Sequence, residues 1–401
     1  MDRIREKAEI LQERVVGWRR HLHQHPELSF QEANTSTYLQ EVLSTLPNTR
    51  IKTKMATHGI IAEIGSGFSP IVALRADMDA LPIDEKNNLP YASITPGVMH
   101  ACGHDAHMAI ALGVINVLAD EYQENPWPGT VRFIFQPAEE GTDELGRTGA
   151  PFMIQEGALH GVSSVIALHM DPENPVGTVT LYDGHAMANV DNFRAVIEAA
   201  GGHGAYPHLA TDPIWMLIPV LQVLHGIVSR KISPLEAAVL SVGTVQAGTA
   251  PNIIPTSVEI KGTLRSYSPE VREQLIYELG QAMRLVETLG GYYQLEILRG
   301  EPALFNHADV NLLFAEAIRA EYPTMKVLAQ PFGLGGEDFG FMTQTVPGAM
   351  FFLGCGIGGV RHSLHSEYFM LDEEAFPIGI TLLSHTLIQL MKVYETKEMS
   401  E

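Results

Sequence analysis

The chain has 401 residues, of which 45% are hydrophobic and 18% charged, and its formal charge is −21. That length exceeds the reach of one core, about 250–300 residues, and points to two domains. The acidic balance argues against a nucleic-acid surface or an anionic membrane as partner.

The start, Met-Asp-Arg-Ile-Arg-Glu-Lys, is charged and does not read as a signal peptide. No uninterrupted apolar run reaches the ~18 residues of a membrane span. Two cysteines, Cys102 and Cys355, make a disulfide framework an unfavoured reading, and a cytoplasmic protein is expected. Ile4, Ala8, Leu11, Val15, Trp18 and Leu22 form one helical stripe that Pro26 stops. A second helix is predicted over 31–46, then strands over 59–64 and 71–75. The second strand runs into Arg-Ala-Asp-Met-Asp-Ala-Leu-Pro (75–82), an acidic tip at a strand's end, where ligands bind in open α/β sheets.

Met-His-Ala-Cys-Gly-His-Asp-Ala-His (99–107) precedes an apolar helical run. Cys102 and His104, two residues apart on a Gly-containing loop, can converge on one metal ion. The pair suits zinc, and imidazole also suits nickel, cobalt and iron. Taken alone, the stretch also reads as a helix start with capping or surface histidines. A strand over 130–135 ends in Gln-Pro-Ala-Glu-Glu-Gly (136–141), and one over 164–168 ends at His169. Alternating strands and helices predict an α/β catalytic domain with a mainly parallel sheet.

After Asp183 the pattern changes to strand 192–200, helix 212–228, strands 237–246 and 258–266, helix 269–289 and strand 292–298. That is βαββαβ, the ferredoxin-like order. It predicts a lid domain, residues 186–298, inserted into a catalytic domain of 1–185 plus 299–401. The α/β theme resumes with helix 309–322, strand 349–353 and helix 373–394.

The chemistry-bearing candidates are Cys102, His104, Glu139, Glu140, His169 and His365. Counting one of the two adjacent glutamates, five donors of N, O and S type are one more than a tetrahedral zinc needs, and fit two metals about 3.5–4 Å apart. If one of Glu139 and Glu140 binds metal, its neighbour stands where a general base is needed. An acidic turn before glycine is the plain alternative. His21, His23 and His25 read as surface or packing groups. Cys355 reads as a small buried residue.

The motifs 75–82, 99–107 and 136–141, with Gly-Gly-His-Gly-Ala-Tyr-Pro-His (201–208) and Leu-His-Ser (364–366), together resemble the M20 metallopeptidase family. More narrowly they resemble its amidohydrolase branch of aminoacylases and auxin-conjugate hydrolases, over nearly the whole chain. The resemblance implies Cys102, His104, Glu140, His169 and His365 as metal ligands and Glu139 as base. Where the wider family has His-x-Asp, this chain has Asp77 and Asp79. Asp77 is therefore not counted as a ligand, and Asp79 is expected behind the ligands.

In the lid, the resemblance makes His203 an oxyanion donor that, with Asn252, reaches a second subunit's site. It makes Arg265 a fork for the substrate carboxylate. Gly204 stands where alanine is usual and is expected to loosen that loop. The implied enzyme is a homodimer with two divalent metal ions per subunit, zinc first, with manganese, cobalt or nickel as alternatives. It would cleave N-acyl, for example N-acetyl, amino acids with a metal-activated water and Glu139 as general base. A dipeptidase or carboxypeptidase on the same scaffold, and a non-catalytic metal-dependent binding protein, stay open.

Overall fold

The computed structural model describes residues 2–358 and 362–398. Helices α1 (Asp2–Ile10), α2 (Gln12–Gln24) and α3 (Ala33–Ser44) precede strands β1 (Arg50–Met55), β2 (Gly59–Gly65) and β3 (Ile71–Asp77). Helix α4 (His104–Glu124), strand β4 (Thr130–Gln136), helix α5 (Gly149–Gln155) and strands β5 (Val162–Pro175) and β6 (Thr178–Thr180) follow. The middle of the chain holds β7 (Asn189–Glu198), α6 (Pro213–Lys231), β8 (Ala238–Ala247), β9 (Ser257–Ser266), α7 (Pro269–Met283) and β10 (Tyr292–Arg299). Then come α8 (Ala308–Glu321), β11 (Lys326–Leu328), α9 (Phe339–Thr345), β12 (Gly348–Gly356) and α10 (Phe376–Glu398).

The first of two units comprises Met1–Gly184, Phe305–Phe332 and Asp338–Glu401. Its eight-stranded sheet has the order β1-β2-β4-β3-β5-β12-β6-β11. The centre is parallel: β3 runs with β4 and β5, and β5 with β12. Antiparallel β1 and β2 form one edge. Parallel register brings Asp77, the last residue of β3, level with Gln136, the last of β4.

Helix α4 is apolar on every side, and every residue from His104 to Ala119 is buried. Such a helix needs neighbours all round; it packs on β3 and against α2 and α10. Gly113 permits the crossing with α10, since a Cβ there would lie 2.5 Å from Ile380 Cδ1. A buried helix held on several sides is a rigid mount for the groups at its N-terminus.

The second unit comprises His185–Leu304 and Gly333–Glu337, against the expected insert of 186–298. Its antiparallel sheet has the order β8-β9-β7-β10. With α6 and α7 this is βαββαβ. Phe193, Ile197, Val258 and Ile260 of the sheet meet Met216, Val220, Leu224, Leu275 and Leu279 of the helices in its core. Asp212 caps α6 by accepting from Ile214 and Trp215 N–H, and Ser268 caps α7 by accepting from Val271 N–H. Each helix has proline in its first turn, where no N–H is needed.

Two helices, Pro213–Lys231 and Glu373–Lys397, are long and apolar enough to cross a membrane by length and composition, where the sequence suggested none. Polar residues such as Gln222, His225, Ser384 and His385 interrupt both, so neither is an unbroken apolar run, and a core helix meets the same criterion. The second is 72% buried within the protein and the first 33%.

Candidate metal centre

The site is built from strand ends and from the start of α4. Buried Asp77 accepts from Arg75 Nη1 and from His107 Nδ1, the latter at 2.6 Å. His107 Nε2 in turn accepts the Met170 N–H at 3.0 Å, so both its ring nitrogens are used inside the protein. Burial opposes a charge on Asp77, but His104, His107 and Arg75 outweigh it and hold the carboxyl well below its usual range. Asp338 accepts from Arg75 Nη2 at 2.6 Å and from Gln136 Nε2 at 2.8 Å, tying the ends of β3 and β4 together.

Asp79 grips the acidic turn. Its Oδ1 accepts the Glu139 N–H at 3.0 Å, and its Oδ2 accepts the Glu140 N–H at 2.9 Å and the Ser29 hydroxyl at 2.6 Å. Both glutamates are thereby presented from one fixed piece of backbone.

Two imidazoles have their tautomers set by backbone carbonyls, which can only accept. His104 Nδ1–H donates to Asp79 O at 2.9 Å and His169 Nδ1–H to Met170 O at 2.8 Å. This turns Nε2 of each ring toward the cluster, the arrangement of a metal-ligating histidine, which offers its lone pair from the neutral ring. His169 Nε2 lies 3.5 Å from Cys102 Sγ. His104 Nε2 is buried and has no hydrogen-bond partner among the described residues. Asp77 Oδ2 stands 3.7 Å from it, and Glu139 Oε2 and Glu140 Oε1 each 3.9 Å. His365 is half-exposed, on a loop whose N–H bonds Ala101 O at 2.8 Å; its Nε2 is 3.1 Å from Glu140 Oε1.

The donor atoms form overlapping groups, each within 4.8 Å: Cys102, His104 and His169; Cys102, Glu140 and His365; His104, Glu139 and Glu140. Asp77, His104 and His107 also meet this spacing, but Asp77 and His107 are consumed by each other, Arg75 and Met170.

The local field asks for cations. Burial works against charge on His104, yet Asp77, Asp79 and Glu140 push its pKa up to about 10. Burial and then Glu140, Glu139 and Asp77 push the Cys102 thiol well above its ordinary value. Burial, reinforced by His107, brings His169 down to about 3 and keeps it neutral. A buried imidazole Nε2 without a protein partner, ringed by carboxylates and a thiol in a field that favours positive charge, fits divalent metal displacing the proton there.

The three expected lid residues lie in the second unit. Gly202–His203 pairs with Ile253–Ile254, setting His203 beside Asn252. Ala205 N–H donates to His203 Nδ1 at 3.0 Å, so the ring hydrogen is on Nε2. Gly204 does not loosen this loop. Its N–H bonds Asn252 O at 2.9 Å, and a Cβ there would lie 3.0 Å from that oxygen, so glycine allows the close approach. Arg265 sits on β9, half-buried, with Nε donating to Thr263 Oγ1 at 3.1 Å.

His23 is not a surface group: it is fully buried, with Nδ1 2.8 Å from Asp105 Oδ2 and Nε2 3.3 Å from Glu85 Oε1. Arg19 Nε donates to the same Asp105 oxygen at 2.8 Å. The trio braces the first turn of α4 from behind. Arg19 and His23 are one turn apart, each next to a residue of the Val15, Trp18 and Leu22 stripe, and that spacing was the available signal. Cys355 is buried, as its glycine-rich surroundings suggested, and both cysteines are free.

The chain is similar over nine-tenths or more of its length to several known proteins. It is 39% identical over 374 residues to an N-acetylcysteine deacetylase of Bacillus subtilis, covering 91% of this chain and 94% of that one. It is 36% identical over 377 residues to an N-acetyldiaminopimelate deacetylase of Priestia megaterium, covering 92% and 96%. The crystal structure of a Bacillus subtilis protein described as a dinuclear metal-binding peptidase from the M20 family superposes with a TM-score of 0.82. That pair shares 32% identity over 96% of this chain and 99% of the other. The pattern described as Peptidase family M20/M25/M40 matches residues 73–389, and the chain belongs to that family.

Proposed function

We propose that the protein is a binuclear metal-dependent amidohydrolase that cleaves the amide bond of N-acyl amino acids. The observation that carries this is the sharing of Cys102 between two donor groups, one with His104 and His169 and one with Glu140 and His365, beside Glu139. The names of the relatives, deacetylases of N-acetylcysteine and N-acetyldiaminopimelate, support acetyl as the acyl group.

Cys102, His104, Glu140, His169 and His365 would hold the ions, zinc first on a donor set of thiolate, imidazole and carboxylate. Divalent metal bound there would polarise the amide carbonyl and acidify the attacking water. Glu139, its backbone N–H fixed by Asp79, takes the proton from that water and returns it to the leaving nitrogen. His203 carries its hydrogen on Nε2 and is suited to donate to the developing oxyanion. Arg265 keeps its terminal N–H groups for the substrate carboxylate, a bidentate match. Asn252, beside His203, assists there.

A homodimer through the second unit is supported by exposed Ile214, Trp215, Ile218 and Val223 on α6, an apolar strip of the kind that marks an interaction surface. In that dimer His203 and Asn252 would serve the partner's site. A cytoplasmic setting suits two free cysteines.

The test is a rate panel on protein loaded in turn with zinc, manganese, cobalt or nickel, using N-acetyl amino acids and dipeptides. Turnover of the N-acetyl series is expected. A loaded protein that hydrolyses dipeptides alone points to a peptidase, and one inert to both to a binding protein.

A further inference from the structure

The turn that carries the two glutamates has a second anchor besides Asp79, and nothing in the motifs announced it. Glu32 stands before α3 and is fully buried. Its Oε1 accepts the Ala138 N–H at 2.8 Å and the Phe30 N–H at 3.1 Å. Both residues have left-handed backbone, with φ of 53° at Ala138 and 63° at Phe30. Neither is glycine, so each conformation persists only where the surroundings impose it.

Ala138 immediately precedes Glu139 and Glu140. Three consecutive N–H groups, those of Ala138, Glu139 and Glu140, are therefore held by two carboxylates, Glu32 and Asp79. The Ala138 carbonyl is held as well, accepting from Gly149 N–H at 2.7 Å. Gly149 permits this, because a Cβ there would fall 1.7 Å from Pro137 O. The aim of the two glutamate side chains follows from the orientation of these peptides.

We propose that Glu32 is a positioning residue for the hydrolytic reaction, fixing the strained Ala138 peptide and so the placement of Glu139 and Glu140. This rests on the amidohydrolase reading above. What Glu32 supplies is an acceptor oxygen rather than a charge. Its Oε2 is buried without a hydrogen-bond partner among the described residues. Burial, with Asp79 adding to it, pushes the carboxyl up to about 8, so a neutral group already suits the site near neutral pH.

The experiment compares Glu32→Gln, Glu32→Asp and Glu32→Leu with wild type in the metal-loaded protein. It measures kcat and KM on an N-acetyl amino acid, metal content, and hydrogen exchange of a peptide spanning 136–141. Gln keeps the acceptor at the same reach and should keep kcat within about threefold, since the geometry is retained. Asp is one methylene short and Leu has no acceptor. At saturating metal both should lower kcat, by ~10²-fold for Leu, with KM unchanged and faster exchange confined to the turn. If Leu does not fold, the contrast of Gln with Asp carries the same test. A Gln variant as impaired as Asp overturns the proposal, and so do Asp and Leu variants with wild-type kcat. Wild-type exchange at 136–141 in the Asp variant overturns it even if no N-acyl amino acid is turned over. That absence of turnover in wild type would instead count against the amidohydrolase reading.

Discussion

His169 Nε2 faces Cys102 Sγ across 3.5 Å, although the two residues are 67 positions apart. One comes from β5 and the other from the loop before α4. The ring hydrogen of His169 is committed to Met170 O on its far side, so a lone pair points at the sulfur. A thiolate there would sit between two sets of donors, and this contact underlies the prediction for Cys102 below.

Glu139→Ala should lower kcat by ~10²–10⁴-fold, the range of a lost general base, while metal content stays at wild type. Metal analysis of the purified variant beside its rates is the measurement. Loss of metal in Glu139→Ala with retention in Glu140→Ala would mean that the two glutamates have exchanged roles.

Cys102 should resist alkylation while metal is bound. After chelation it should react slowly at neutral pH and faster as pH rises, because burial and neighbouring carboxylates hold the thiol protonated. The same competition with protons makes metal affinity fall as pH drops. Mass-spectrometric labelling across pH, with and without chelator, reads this out. A Cys102 labelling rate indifferent to metal would remove it from the site.

Stability should carry a signature of His23. Burial and Arg19 oppose its charge, but hydrogen bonds to Asp105 and Glu85 outweigh them and raise its pKa above 6.5. A raised histidine pKa gives stability that is complete below pH 6.5 and lost as pH climbs through the folded-state value. Urea unfolding of metal-saturated protein between pH 6 and 9 should show a steeper decline for wild type than for His23→Gln. Parallel curves would show that the Asp105 and Glu85 contacts leave His23 unshifted.

His203→Ala should cost ~10²–10³-fold in rate, the scale of a lost oxyanion donor. Mixing it with Glu139→Ala under subunit exchange tests where His203 acts. If it serves the partner's site, one site of each heterodimer has both groups intact and activity returns, to about half of wild type per heterodimer, because one of its two sites is complete. Heterodimers shown by mass that remain inactive would place His203 in its own subunit's site.

Much of this protein is local and therefore legible in the chain. The βαββαβ order of the second unit follows from apolar periodicity and from caps such as Asp212-Pro213 and Ser268-Pro269. The parallel sheet follows from alternating strands and helices. The clustered donors of 99–107 and 136–141 mark the site, because a Cys, His and Glu set has few uses other than metal.

What the tertiary structure decided depends on contacts between distant segments. The sequence assigned His107 no role; the fold places Asp77 and the Met170 N–H against its two ring nitrogens. The sequence left His23 open between a surface and a packing group; Asp105 and Glu85, 82 and 62 positions away, close around it and decide for packing. Glu32 has no motif at all. Its partner is a backbone N–H 106 residues downstream, and a peptide group carries no side-chain identity for a sequence to display.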